Sequence, residues 1–260
     1  MQIWYMNGAG NDFMVMDARD GSYDFETLSV ELCKLTGADG FMAVDHSEKA
    51  DFKLHFYNSD GSRGEMCGNG ARCICRFAYD NGIAGPMMTV ETDAGIVPGW
   101  RVDENRYVIH LNLPGVMDLY SRENVAYVEL GNPGVPHAVV EYDGDLWADA
   151  EKLRQQMKAL RHDPSFPKGA NVNFYQWMED ERHAVRVLTF ERGVEDFTLA
   201  CGTGCGSIAV VLRTNGFLPS GILTAHNRGG TLKVEVAEDN HEICTIRLEG
   251  PTEVVKIFDI

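Results

Sequence analysis

Two stretches decide how this chain is read: Cys67-Gly68-Asn69-Gly70-Ala71-Arg72-Cys73-Ile74 and Cys201-Gly202-Thr203-Gly204-Cys205-Gly206-Ser207-Ile208. Both open on Cys-Gly-x-Gly and continue into small and apolar residues. Their leading cysteines stand 134 residues apart, about half of the 260-residue chain. A strand-like run and a turn precede each, at Phe52–Asp60 and Val185–Glu191, and helical periodicity follows each, over Ala71–Tyr79 and Ser207–Leu212. Self-similarity at this period predicts two related lobes, each offering a Cys-Gly-x-Gly loop at a helix start.

Outward from the two loops, short strand patterns dominate. Ile3–Met6, Phe13–Asp17, Phe41–Asp45, Met87–Thr92 and Tyr107–Leu113 read as strands in the first half. Tyr127–Leu130, His137–Tyr142, Phe174–Met178 and Ala184–Phe190 do so in the second, followed by Ile222–Ala225, Leu232–Val236, Ile243–Leu248 and Glu253–Phe258. Apolar stripes at helical spacing predict helices over Phe25–Leu35 and Leu146–Leu160. The class is α+β, rich in antiparallel strands, with a boundary expected near Pro114–Arg122. The expected lobes are therefore 1–116, carrying Cys67, and 117–250, carrying Cys201.

Hydrophobic residues make up 44% and charged residues 24%, ordinary globular usage that rules out disorder as the main state. The net charge of −16 repels phosphate backbones and anionic membranes, so neither nucleic acid nor a membrane is an expected partner. The opening Met1–Gly8 has no basic and apolar leader pattern, and no run approaches a membrane span; a cytoplasmic protein is expected. Seven cysteines, an odd number, argue against a disulfide framework. Cys33, Cys73, Cys75, Cys205 and Cys244 read as packing residues. Cys67, Cys73 and Cys75 lack metal-ligand spacing and a neighbouring histidine, so no metal site is expected.

The first turn of a helix carries unpaired N–H groups and about half a positive charge. A cysteine there has a lowered pKa, and glycines let backbone amides close on an anion such as a carboxylate. One such loop could be a tight turn with a buried thiol. Two matched loops suit one chemistry: inversion of a carbon that bears a hydrogen. If a pseudo-twofold relates the lobes, the cysteines face one cleft from opposite sides; a thiolate takes the proton and a thiol returns one. Helix N-termini would stabilise the enolate-like charge that develops.

The chain resembles the diaminopimelate epimerases, cofactor-independent two-cysteine amino-acid epimerases. The resemblance runs through Met6-Asn7-Gly8-Ala9-Gly10-Asn11-Asp12-Phe13, Asn58-Ser59-Asp60-Gly61-Ser62 and Glu65-Met66-Cys67-Gly68-Asn69-Gly70-Ala71-Arg72-Cys73. It continues through Gly134-Val135-Pro136-His137, Gly169-Ala170-Asn171-Val172-Asn173-Phe174, Glu191-Arg192-Gly193-Val194-Glu195 and Leu199-Ala200-Cys201-Gly202-Thr203-Gly204. It implies that Cys67 and Cys201 are the catalytic acid/bases, with His137 and Glu191 helping to deprotonate them. The amides of Gly68, Asn69, Gly202 and Thr203 would hold the substrate carboxylate, and Asn11, Asn58, Asn171 and Arg192 would line the pocket. It further implies two pseudo-symmetric lobes, each a curved, mostly antiparallel sheet or barrel around a central helix. A last strand at about 251–260 would return to the first lobe. The expected substrate is a small amino acid, LL-diaminopimelate going to the meso form, with no cofactor and with homodimers common.

Three positions depart from the common pattern: Val135 where many members carry asparagine, Arg63 where many carry an acidic residue, and Gly40 where some carry glutamine. The first two bear on recognition of the far end of the substrate, for which Asn132 is a candidate substitute. The alternatives are a racemase of another amino acid, such as histidine, and a non-catalytic ligand- or metal-binding protein on the same fold.

Overall fold

A computed structural model describes residues 2–64 and 67–259. Met1, Glu65, Met66 and Ile260 lie outside the described residues, including the Glu-Met that opens the first cysteine motif. The chain divides into two compact units, Met1–His110 with Glu249–Ile260, and Leu111–Leu248.

The first unit runs β1 (Gln2–Gly8), β2 (Asn11–Asp17), α1 (Phe25–Thr36), β3 (Gly40–Asp45), β4 (Phe52–Asn58), α2 (Gly68–Asp80), β5 (Met87–Thr92), β6 (Gly95–Arg101) and β7 (Arg106–Leu111). The second runs β8 (Pro114–Arg122), β9 (Val125–Gly131), β10 (Gly134–Glu141), α3 (Ala150–Arg161), β11 (Asn171–Trp177), β12 (Ala184–Glu191), β13 (Asp196–Thr198), α4 (Gly202–Thr214), β14 (Ile222–Asn227), β15 (Gly230–Asp239) and β16 (Glu242–Pro251). β16 carries the chain back, and β17 (Glu253–Asp259) pairs antiparallel with β1.

The repeat seen in the two cysteine loops extends to whole topology. In the first unit β1–β2 is antiparallel, β2 runs parallel to β3 across α1, β3–β4 is antiparallel, β4 runs parallel to β5 across α2, and β5–β6 is antiparallel. The second unit repeats the series with β9–β10, β10–β11 across α3, β11–β12, β12–β14 across α4, and β14–β15. A parallel pair needs a crossover of a dozen or so residues, and a helix supplies it each time. β17 on β1 matches β8 on β9.

Each crossover helix after a cysteine loop is the centre of its own unit. α2 packs on β1, β2, β3 and β6, and α4 on β9, β10, β11 and β15. Cys73, Ile74, Cys75 and Ala78 of α2 are sealed, as are Cys205, Ile208, Ala209 and Val210 of α4. The α4 helix is apolar nearly all round and buried to match, while α2 buries Arg72 along with its small and apolar residues. The outer helices bury one stripe each. The α3 side packs Leu153, Met157 and Leu160 with Phe166, Phe174 and Leu188; α1 packs Cys33 with Phe41, Met14 and Ile3. Capping defines α1, since Asp24 accepts from the Thr27 N–H and Gly37 takes the left-handed conformation after the last turn (φ 76°).

Two readings need correction, the start of the α3 helix and the burial of Cys244. The α3 helix starts at Ala150 and not at Leu146. Leu146 keeps its apolar environment as part of a turn whose Asp145 caps the Ala148 N–H, so its place in the stripe came from burial and not from helix. Pro114–Arg122, just past the division at Leu111, is the strand β8 on β9. Gly95–Arg101 is a strand despite Pro98 and two glycines. Cys244, read as core, is exposed. It lies at the hairpin end of β16, where the inward face that buries Ile246 and Leu248 has run out of core, and its Sγ bonds Ala237 O at 3.4 Å.

Candidate active site

Both leading cysteines are helix N-caps in closely matched extended backbone, Cys67 at φ −122°, ψ 121° and Cys201 at φ −126°, ψ 108°. The carbonyl of each accepts the first bond of the helix it opens, Cys67 O from Ala71 N at 2.7 Å and Cys201 O from Cys205 N at 3.0 Å. The side chain of each therefore sits beside the N–H groups of a first turn.

In the first unit Asn69 joins the loop to β2. Its Nδ2 donates to Asn11 Oδ1 at 2.7 Å, and Asn11 Nδ2 donates to Asp39 Oδ2 at 3.1 Å. Asp39 also accepts from the Asp12 N–H, and its carbonyl accepts from Ser59 N. The buried Arg72 points back along its helix, with Nη1 donating to Gly68 O and Nη2 to Asn69 Oδ1. Thus Cys67, Gly68, Asn69 and Asn11 form one connected group. Asn58 is exposed at the end of β4 and held in its own turn, donating to Ser62 Oγ at 2.9 Å. Gly8 makes the close packing here feasible: a Cβ would fall 2.8 Å from Asn69 O and 2.9 Å from Cys73 Sγ.

In the second unit Cys201 is buried. Its Sγ accepts from Gly204 N at 3.4 Å and lies 3.5 Å from Thr203 Oγ1. Burial and the Glu191 carboxylate push the thiol well above its ordinary pKa, while Thr203 and the Gly204 amide pull the other way. Glu191 ends β12 and accepts from Thr198 Oγ1 at 2.8 Å. Beside it Asn171 Oδ1 accepts from the Arg192 N–H at 2.8 Å, and the exposed Arg192 guanidinium reaches Lys168 O. His137 stands opposite Asn171 in the β10–β11 register. It is fully buried, which with the nearby Arg192 charge drives its pKa down to about 3 and leaves a neutral ring. Gly202 is buried and Thr203 half-buried in the same turn.

Several partners were not singled out from the sequence. Asn173 binds His137, Asp39 holds Asn11, and Arg72 holds Asn69. The alternation of β11 was a usable signal for Asn173, because Asn171 and Asn173 share one face. For Arg72, three residues after Asn69 in an otherwise small and apolar helix start, helical spacing was the signal. Arg63 forms a two-pronged pair with Asp93, Nε to Oδ2 at 2.5 Å and Nη2 to Oδ1 at 2.8 Å, so its charge is spent within its own unit. Val135 is half-buried opposite Leu130, and Asn132 is exposed in the β9–β10 turn. Among the described residues no group of three or more His, Cys, Asp or Glu side chains could hold a metal ion. Cys73 and Cys75 are sealed thiols pushed up to about 12 by burial. No helix among the described residues is long and apolar enough to cross a membrane.

Comparison with known proteins completes the description. A family model described as diaminopimelate epimerase matches residues 3–112 and 130–255. The diaminopimelate epimerase of Aquifex aeolicus is 37% identical over 100% of this chain and 96% of its own length. That of Archaeoglobus fulgidus is 35% identical over 90% and 89%, and that of Campylobacter jejuni 38% over 80% and 80%. Among solved structures, a Bacillus anthracis phenazine biosynthesis protein of the PhzF family covers 100% of the chain and 98% of its own at a TM-score of 0.76 and 15% identity. A hydroxyproline epimerase from Agrobacterium vitis covers 100% and 90% at 0.67 and 16%. At these identities the structural likeness speaks for the fold, two pseudo-symmetric α+β lobes.

Proposed function

The chain belongs to the diaminopimelate epimerase family, and from that premise we propose that it converts LL-diaminopimelate to meso-diaminopimelate by a two-base thiol/thiolate reaction without a cofactor. One observation carries the mechanism. In two units of the same topology, the same kind of residue, a cysteine, caps the same central helix with nearly the same backbone angles.

In this reading the thiolate of one cysteine removes the α-proton while the thiol of the other delivers a proton to the opposite face, and the two exchange protonation states in the reverse direction. The first-turn amides of Gly68 and Asn69, and of Gly202 and Thr203, are donors for a carboxylate whose charge grows as the α-carbon loses its proton. Glu191 is the proton acceptor assigned to Cys201, the thiol whose pKa its charge raises. Asn11, Asn58, Asn171 and Arg192 are assigned to binding, with Arg192 suited to a carboxylate by its planar fork. A cytoplasmic homodimer is the proposed working form, whose mass light scattering on the purified protein would give.

The test is direct. Incubated with LL-diaminopimelate in deuterated water, the protein should form the meso isomer with one deuterium at the inverted α-carbon. Turnover should be indifferent to chelators and to hydroxylamine. Exchange into histidine, with none into diaminopimelate, would overturn the substrate assignment.

A further inference from the structure

We propose that Asn173 is a positioning residue that holds His137 as the neutral Nε2–H tautomer, so that His137 serves the reaction as a hydrogen-bond donor and not as a proton carrier. The inference rests on the reading above for the reaction, but its geometric part lies wholly within the second unit.

Asn173 is fully buried on β11, and its amide can face only one way. Nδ2 lies 3.0 Å from Asn171 O and 3.3 Å from Ala138 O. Carbonyl oxygens only accept, so the NH2 group must be on that side. On the other side Oδ1 accepts from Thr189 Oγ1 at 3.0 Å. His137 Nδ1 lies 3.1 Å from the same NH2 group. A hydrogen on Nδ1 would point at a donor, so Nδ1 must be the bare, accepting nitrogen and the ring hydrogen must reside on Nε2.

Two further observations give this consequence. Nε2 is buried with no hydrogen-bond partner among the described residues. Native structures leave few buried donors unmatched, and each exception calls for an explanation, a catalytic role among them. Asn173 is also keyed to the cysteine helix: a Cβ on Gly204 would collide with Asn173 Oδ1, and the Gly204 amide is the one that donates to Cys201 Sγ. One side chain thereby sets both the histidine ring and the first turn behind the cysteine. The acceptor for Nε2–H is an anion of the reaction, either a thiolate or the substrate carboxylate.

Long-range proton–nitrogen correlation NMR on histidine-labelled protein, free of substrate at pH 7, reads the tautomer directly. Expected is a His137 signal with a protonated Nε2 and an unprotonated Nδ1. A protonated Nδ1, or an imidazolium, would overturn the proposal whether or not the protein epimerises diaminopimelate. In Asn173→Asp the carboxylate accepts where the amide donated, so the signal should switch to Nδ1–H with kcat down by about tenfold or more. If that variant does not fold, His137→Gln against His137→Ala decides. Glutamine restores a donor near Nε2 but cannot carry a proton at pH 7, so His137→Gln should keep at least about ten times the kcat of His137→Ala. Equal loss in the two would overturn the donor role. Adding thiol-ionisation and KM measurements distinguishes the acceptors: a shift in cysteine ionisation marks a thiolate, a rise in KM the carboxylate.

Discussion

A thiol at the first turn of a helix is pulled two ways. The turn's amides favour the thiolate, while burial and any neighbouring carboxylate favour the thiol. At Cys201 the second pair prevails, burial first and the Glu191 charge after it, which raises the thiol pKa and suits it to act as an acid. Removing that charge in Glu191→Gln should lower the Cys201 pKa, and pH-dependent alkylation should show thiolate forming at lower pH than in the parent. Turnover should fall in the same variant, because the proposed acceptor is gone. Cys67→Ala and Cys201→Ala should each lose about 10²–10⁴-fold in rate, the usual share of a general acid or base. Near-normal turnover in either would remove that residue from the chemistry. The sealed Cys73 and Cys75 should resist native alkylation that labels exposed Cys244, as peptide mass mapping would show.

At the scale of elements, Gly204 sets two effects against each other. Alanine is favoured over glycine inside a helix by about 1 kcal/mol. Here the added methyl would drive into the Asn173 amide, and overpacking a closed site costs about 1–3 kcal/mol. Gly204→Ala should therefore lower stability in urea unfolding by up to about 2 kcal/mol; a stabilised variant would show that the amide yields easily. The same element shows what was legible beforehand. The two helix starts were readable because a cysteine, two spaced glycines and an apolar continuation recur as a pair. Strands with clean alternation, such as β15, were readable for their inward Leu232, Val234 and Val236. β8 was not, since its exposed Val116, Met117 and Tyr120 follow no burial rhythm and its pairing to β9 is irregular. Nor was β6, whose glycines and Pro98 speak against a strand when taken alone. Alternation put Asn173 on the face of Asn171, but its contact with His137 depends on which strand lies beside which, a tertiary fact; the Arg72 contact to Asn69 is local, and its helical spacing was legible.

The stability of the whole molecule carries the mark of His137. Its native pKa, near 3, lies below the unfolded value of about 6.5. Between those values the unfolded chain holds a proton that the native ring refuses, so stability falls as pH is lowered, by about 1.4 kcal/mol per pH unit across that window. Carboxylates held low in the fold, such as Asp17 by Arg19 and Glu195 by the Gly193 amide and Arg161, add to the loss as pH falls further, through the carboxylate range. Urea midpoints should drop steadily from pH 6.5 to 4.5 in the parent and less steeply in His137→Gln; parallel slopes would refute the assignment.

The path of the chain has a consequence for its synthesis. Leu111–Leu248 is contiguous and has every strand of its sheet in hand once it leaves the ribosome. The first unit does not: the open edge of β1, with Trp4 opposite Ile257 and Ile3 opposite Phe258, gains its neighbour only when residues 253–259 emerge. The half translated first should thus be the last to close, leaving a sticky margin for chaperones to guard in the interval.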